Sequence, residues 1–189
     1  MINPNHPILK YALMITTALA LTTSCQKGQI SITIDQSKVQ ERVSQEFPQE
    51  HDIKGMATLT MKNPQVDLAL GDNRIGLITD LELSRKNLPI AIKGNAKTSG
   101  TVRYEKKNGT FYMTDVKIEN VELPLKLMTQ EQKQTIIDHT NALIAGTLKD
   151  IPIHTLQTAS SKEAANALLK NIEVKDNAIK IVLGLDEGS

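Results

Sequence analysis

The sequence predicts an α+β domain built on a strongly curved antiparallel sheet, with one long amphipathic helix and two shorter ones. Three observations carry this. Between Ile53 and Leu125 apolar residues recur at even spacing with turn signals between the runs, the period of strands that each have one dry face. Along the last of those runs the dry face changes phase twice, which predicts bulges that bend the strand. After it, Thr129 and Gln132 form a capping box at the head of a helical pattern reaching Lys149. Trp is absent and aromatic residues make up 3% of the chain, so the core falls to Ile, Leu, Val and Met.

The chain opens with a positive residue, Lys10, followed by Tyr11 to Leu21, which is apolar apart from Thr16 and Thr17. That stretch suits the apolar region of an export signal and is too short for the about 20 residues a helix needs to cross a bilayer. Small residues Thr22, Thr23 and Ser24 precede Cys25, the only cysteine. The pattern resembles a bacterial lipobox, in which the cysteine is acylated and becomes the mature N-terminus. It departs from the usual form in that Thr22 stands where Leu is preferred, with Leu21 one position earlier. The expected organisation is a signal peptide over 1–24, a lipidated end and tether over 25–29, and one domain over 30–189. With Cys25 carrying lipid, such as palmitate, no internal disulfide can form. Lys10 is the one charged residue of the excised segment, so the formal net charge of +1 becomes zero. A balanced chain with few aromatic platforms has no electrostatic footprint for nucleic acid.

Ile30, Ile32 and Ile34 alternate with Ser31 and Thr33 as a strand. Asp35 is placed to cap a helix whose stripe is Val39, Val43 and Phe47, ended by Pro48. Glu50-His51-Asp52 reads as a solvated loop. The meander then runs through Leu59 and Met61, Val66, Leu68 and Leu70, and Ile75, Leu77, Leu81 and Leu83. Turns fall at Gly71-Asp72-Asn73 and Asn108-Gly109, where positive φ is tolerated. The phase changes near Thr114-Asp115 and Asn120 mark the bulges. In the long helix Ile136, Ile137, Thr140, Leu143, Ile144, Thr147 and Leu148 share a face. Pro152 interrupts, Ile151, Ile153 and Leu156 suggest a short strand, and Ser160 with Glu163 is placed to cap a third helix to about Lys170. The chain closes with Ile172 to Val174, a turn at Asp176-Asn177, and a strand with Ile179, Ile181, Leu183 and Leu185 on its dry face.

Taken together, the lipobox, the strand, the helix ending Phe47-Pro48, the meander, the long helix, Ile151-Pro152-Ile153 and the closing stretch Leu168 to Lys175 resemble the YceB-like family of bacterial lipoproteins. That family is similar to the tubular lipid-binding (TULIP) superfamily. The resemblance implies a sheet wrapped around the long helix, with space between them for acyl chains. By resemblance to the sorting rule of enteric bacteria, Gln26 after Cys25 implies the inner leaflet of the outer membrane, facing the periplasm.

No motif in the chain carries reaction chemistry. His51, His139 and His154 lack metal-ligand spacing. Ser160, Ser161, His154 and Asp150 include the residue types of a hydrolase triad, yet neither serine has a Gly-x-Ser-x-Gly elbow around it. The expectation is therefore no enzyme, no catalytic or metal residue, and no cofactor beyond the lipid on Cys25. Two functions fit. One is a binding module for a lipid or other hydrophobic ligand, in a cleft lined by Leu68, Leu77, Leu81, Ile137, Ile144 and Ile181, where each buried methylene contributes ~0.8 kcal/mol. The other is a non-catalytic envelope scaffold with a filled core, in which those six residues are ordinary core. The sequence names no protein partner; the membrane is the partner it implies.

Overall fold

The computed structural model describes residues 29–55, 57–85, 91–126 and 128–184. Cys25, Gln26 and Leu185, on which part of the reading above falls, lie outside them. The elements run β1 (Gln29–Asp35), α1 (Gln36–Ser44), β2 (Gln49–Ile53), β3 (Ala57–Asp67), β4 (Ile75–Ser84), β5 (Ile92–Glu105), β6 (Thr110–Glu122), α2 (Gln130–Leu148), β7 (Pro152–Thr155), α3 (Ala159–Leu168), β8 (Leu169–Lys175) and β9 (Ala178–Gly184). No described helix is long and apolar enough to cross a membrane.

The fold is α+β, with a strongly curled six-stranded antiparallel half-barrel in the order β2-β3-β4-β5-β6-β7. Its curl follows from bulges. Register slips between Lys62 and Gln65 of β3, where Asn63 takes φ +50°, so burial moves from Met61 to Pro64 and Val66. On β6 the pairing with β5 skips Glu119 and slips again around Asp115, whose φ is +48°. These are the positions where the dry face changes phase, and each adds local twist. Gly94 and Gly100 of β5 allow the resulting close approach, since a Cβ at Gly94 would stand 1.8 Å from the Glu122 carbonyl oxygen.

The chain forms two sheets where the sequence suggests one. β1, β9 and β8 make a separate three-stranded sheet, with Ile30 facing Leu183 and Ile34 facing Ile179 across its first pairing. The Asn73 side chain joins the two sheets, donating to the Ile172 carbonyl and accepting from the Val174 amide of β8. Buried residues of both sheets and all three helices nonetheless form a single cluster.

Four local expectations change. Glu50-His51-Asp52 belongs to edge strand β2, because Ile53 is buried and Gln49 to Ile53 pair with Met61 to Ala57. Leu70 is exposed, since β3 ends at Asp67 and the turn begins before Leu70 can return to the core. Asp35 stands at the first helix's N-cap without a side-chain cap bond; the amide of Gln36 donates to the Asn177 carbonyl instead. Thr158, not Ser160, caps α3, accepting from the Ser161 amide.

Candidate functional site

α2 begins as the sequence predicts. Thr129 Oγ1 accepts from the Gln132 amide at 3.3 Å and Gln132 Oε1 accepts from the Thr129 amide at 3.1 Å, the reciprocal capping box. The helix packs against β2 and β6 and buries Ile136, Thr140, Ile144 and Leu148, one residue per turn along a single stripe. From Ile136 to Leu148 that stripe runs about 18 Å at the helical rise. A cavity lies at each end of it.

At the carboxyl end the cavity measures about 20 Å³, roughly the room of one water. Val39 and Val43 of α1 enter it opposite Leu148, with Leu77 and Met113 from the sheet and Ile151 from the turn after α2. α1 thus plugs this end, and no polar side chain among the described residues lines it.

At the amino end the cavity measures about 310 Å³. Its floor is Ala57 at the start of β3, Leu83 at the end of β4, Met128 and Ile136. The strands bring the first two together, because Thr58 pairs with Ser84 and Leu59 with Leu83. Ala57 keeps the floor low: it follows the Lys54-Gly55 turn, both at positive φ, where a larger side chain would fill the space. Met128 holds the position just before the N-cap, from which an apolar residue often packs on the fourth helical residue. That residue here is Lys133, so no such staple forms. Arg85, Glu131, Gln132 and Thr135 make a polar rim.

Five of the six residues expected to line a cleft, Leu68, Leu77, Leu81, Ile144 and Ile181, are buried members of the core cluster, and Ile137 is half-buried against it. Leu77 borders the 20 Å³ cavity. None of the six lines the 310 Å³ cavity. In the sequence Leu83 and Ile136 read as ordinary core positions, and Ala57 and Met128 carry no signal that sets them apart.

The polar candidates are dispersed. His51 Nε2 meets Thr147 Oγ1 at 2.8 Å beside a shallow groove that Glu46 and Asp150 also line. His154 lies on β7 with its ring 6.4 Å from that of Phe111. Burial, and then the charge of Lys38, hold its pKa below the ordinary imidazole value. Ser161 Oγ donates to the Thr158 carbonyl and Ser160 Oγ pairs with Thr158 Oγ1, so both serines are engaged in the first turn of α3. Among the described residues no three His, Cys, Asp or Glu side chains cluster as metal ligands. A larger surface depression near Arg74 is lined by Asp72 and Lys97 and by groups that bond one another: Arg74 donates to Ser99 and to the Asp115 carbonyl, and Ser99 donates to Glu119.

Residues 34–178 match the model of a family described as "Protein of unknown function (DUF1439)". The chain belongs to this uncharacterised family. A search of the curated proteins found no match. The family's span runs from Ile34 near the end of β1 to Ala178 at the start of β9, so it includes α1, α2 and both cavities.

Proposed function

We propose that this chain is a periplasm-facing lipoprotein, anchored through Cys25 in the outer membrane, that binds a lipid or other hydrophobic ligand in the cavity at the amino end of α2. The single observation that carries the reading is that cavity: about 310 Å³, apolar at its floor and polar only at its rim. Small-molecule sites have this character and typically measure about 300–1,000 Å³. Thr140, one turn further along the buried stripe from Ile136, is fully buried and its hydroxyl has no partner. In this reading the domain is YceB-like and TULIP-like: α2 lies along the mouth of the curled sheet, the sheet wraps it, and the acyl chain enters beside Ile136. Binding is non-catalytic and needs no cofactor.

A second reading, a tethered scaffold with its function on the surface, is favoured by the filled core around Leu68, Leu81, Ile144 and Ile181, all at most 1% exposed. Native mass spectrometry of protein purified without delipidation separates the two. The binding reading expects a bound mass and uptake of a fluorescent fatty acid; a repeatedly ligand-free mass with no uptake leaves the scaffold. For the anchor, Cys25→Ser is expected to move the protein out of the membrane fraction, and its persistence there would contradict lipidation at that residue.

A further inference from the structure

We infer that the ligand of the α2 cavity is an anionic amphiphile whose carboxylate or phosphate head is held by Arg85 while its chain lies on Ala57, Leu83 and Ile136. The inference rests on the cavity reading above and adds the chemistry of the head. The chain has four arginines, and three of them are occupied. Arg42 pairs with Glu46, Arg74 bonds Ser99 and the Asp115 carbonyl, and Arg103 pairs with Glu105 and stands over the Tyr112 ring. Arg85 lines the rim, is exposed, and has no hydrogen-bond or ion-pair partner among the described residues. A guanidinium presents five donors in a planar fork that matches the two oxygens of a carboxylate or phosphate, and such charge-assisted pairs are the stronger class of hydrogen bond.

Glu131 also lines the rim and forms no ion pair with Arg85. It sits in the first turn of α2, where the positive end of the helix dipole favours a carboxylate. Among the described residues Arg85 has no such local answer, which leaves it as the rim group open to a charge. Chain and head are thus recognised in one place, apolar below and cationic at the edge.

The test is calorimetric titration of the full chain with octanoate, octyl phosphate, octanol and octylamine, each below its micelle-forming concentration. Either anion is expected to bind about tenfold or more tighter than octanol, the effect of one charge-assisted hydrogen bond of roughly 1.5–3 kcal/mol. Octylamine is expected to bind weakest. Arg85→Gln, at an exposed position, should erase the advantage of the anions, and Glu131→Gln should tighten them modestly. Preference for octyl phosphate would mark a phospholipid-type head, and preference for octanoate a fatty acid. Octanol binding as tightly as both anions, octylamine binding better, or an unchanged ratio in Arg85→Gln would overturn the inference while leaving the cavity reading intact. Failure of all four to bind would overturn both.

Discussion

The two ends of the buried stripe on α2 meet the same curled sheet and end in opposite ways. At Leu148 the first helix brings Val39 and Val43 down onto the sheet, and about 20 Å³ remains. At Ile136 no helix among the described residues plays that part; the described neighbours include Ala57, which is small, and Met128, which has no staple partner, and about 310 Å³ remains. Close packing is the ordinary condition of an interior, because an unfilled space loses its dispersion contacts. The difference teaches that one helix face can be closely packed at one end and border a cavity at the other, according to what the strand ends and connections supply.

The contrast breaks first under truncation. Leu148→Ala, at the closed end, is expected to lower stability by about 2–5 kcal/mol, since the plugged surroundings cannot collapse into the space. Met128→Ala, at the open end and only half-buried against the core, is expected to cost about 1 kcal/mol, the ordinary size of a single substitution. Urea denaturation of both variants measures the gap, and equal losses would mean the open end is packed as tightly in solution. Thr140→Val comes next. It removes an unpartnered buried hydroxyl at nearly constant volume and is expected to stabilise the domain by about 1 kcal/mol. A loss of stability would show the hydroxyl bonded in solution, for instance back to its own helix.

The smallest stability effect is one of pH. His154 has its folded pKa lowered from 6.5, by burial first and by Lys38 second. The unfolded chain therefore takes up the proton more readily, so this contribution is complete above pH 6.5 and is lost as pH falls through the lowered folded value. Between pH 6.5 and 5, above the range in which carboxylates titrate, the melting temperature should fall slightly in the wild type. His154→Gln should flatten that slope, and an unchanged slope would place its origin elsewhere.

Much of this fold was legible in the sequence where a local rule acts alone. Thr129 and Gln132 mark the start of α2, Asp176-Asn177 the last hairpin, and the phase changes near Asp115 and Asn120 the bulges that curl the sheet. The rule fails where a partner distant in sequence decides. Gln49 to Asp52 look like a loop because only Ile53 of β2 is apolar and buried, and it is β3 that makes them a strand. β1 joins β9 to form a second sheet by a pairing that spans nearly the whole chain, which no short pattern announces. The candidate site was least legible. Leu68, Leu77 and Ile181 carry the strongest apolar periodicity because they are core, whereas a cavity arises where the ends of β3, β4 and α2 converge on an alanine.

That alanine offers the most direct test of the account. Ala57→Phe places a ring in the 310 Å³ space, so the fold should keep its melting temperature within a few degrees while uptake of a fluorescent fatty acid is lost. Uptake measured on the folded variant decides the matter: abolished uptake is the predicted result, and uptake equal to wild type would contradict a ligand site at the amino end of α2.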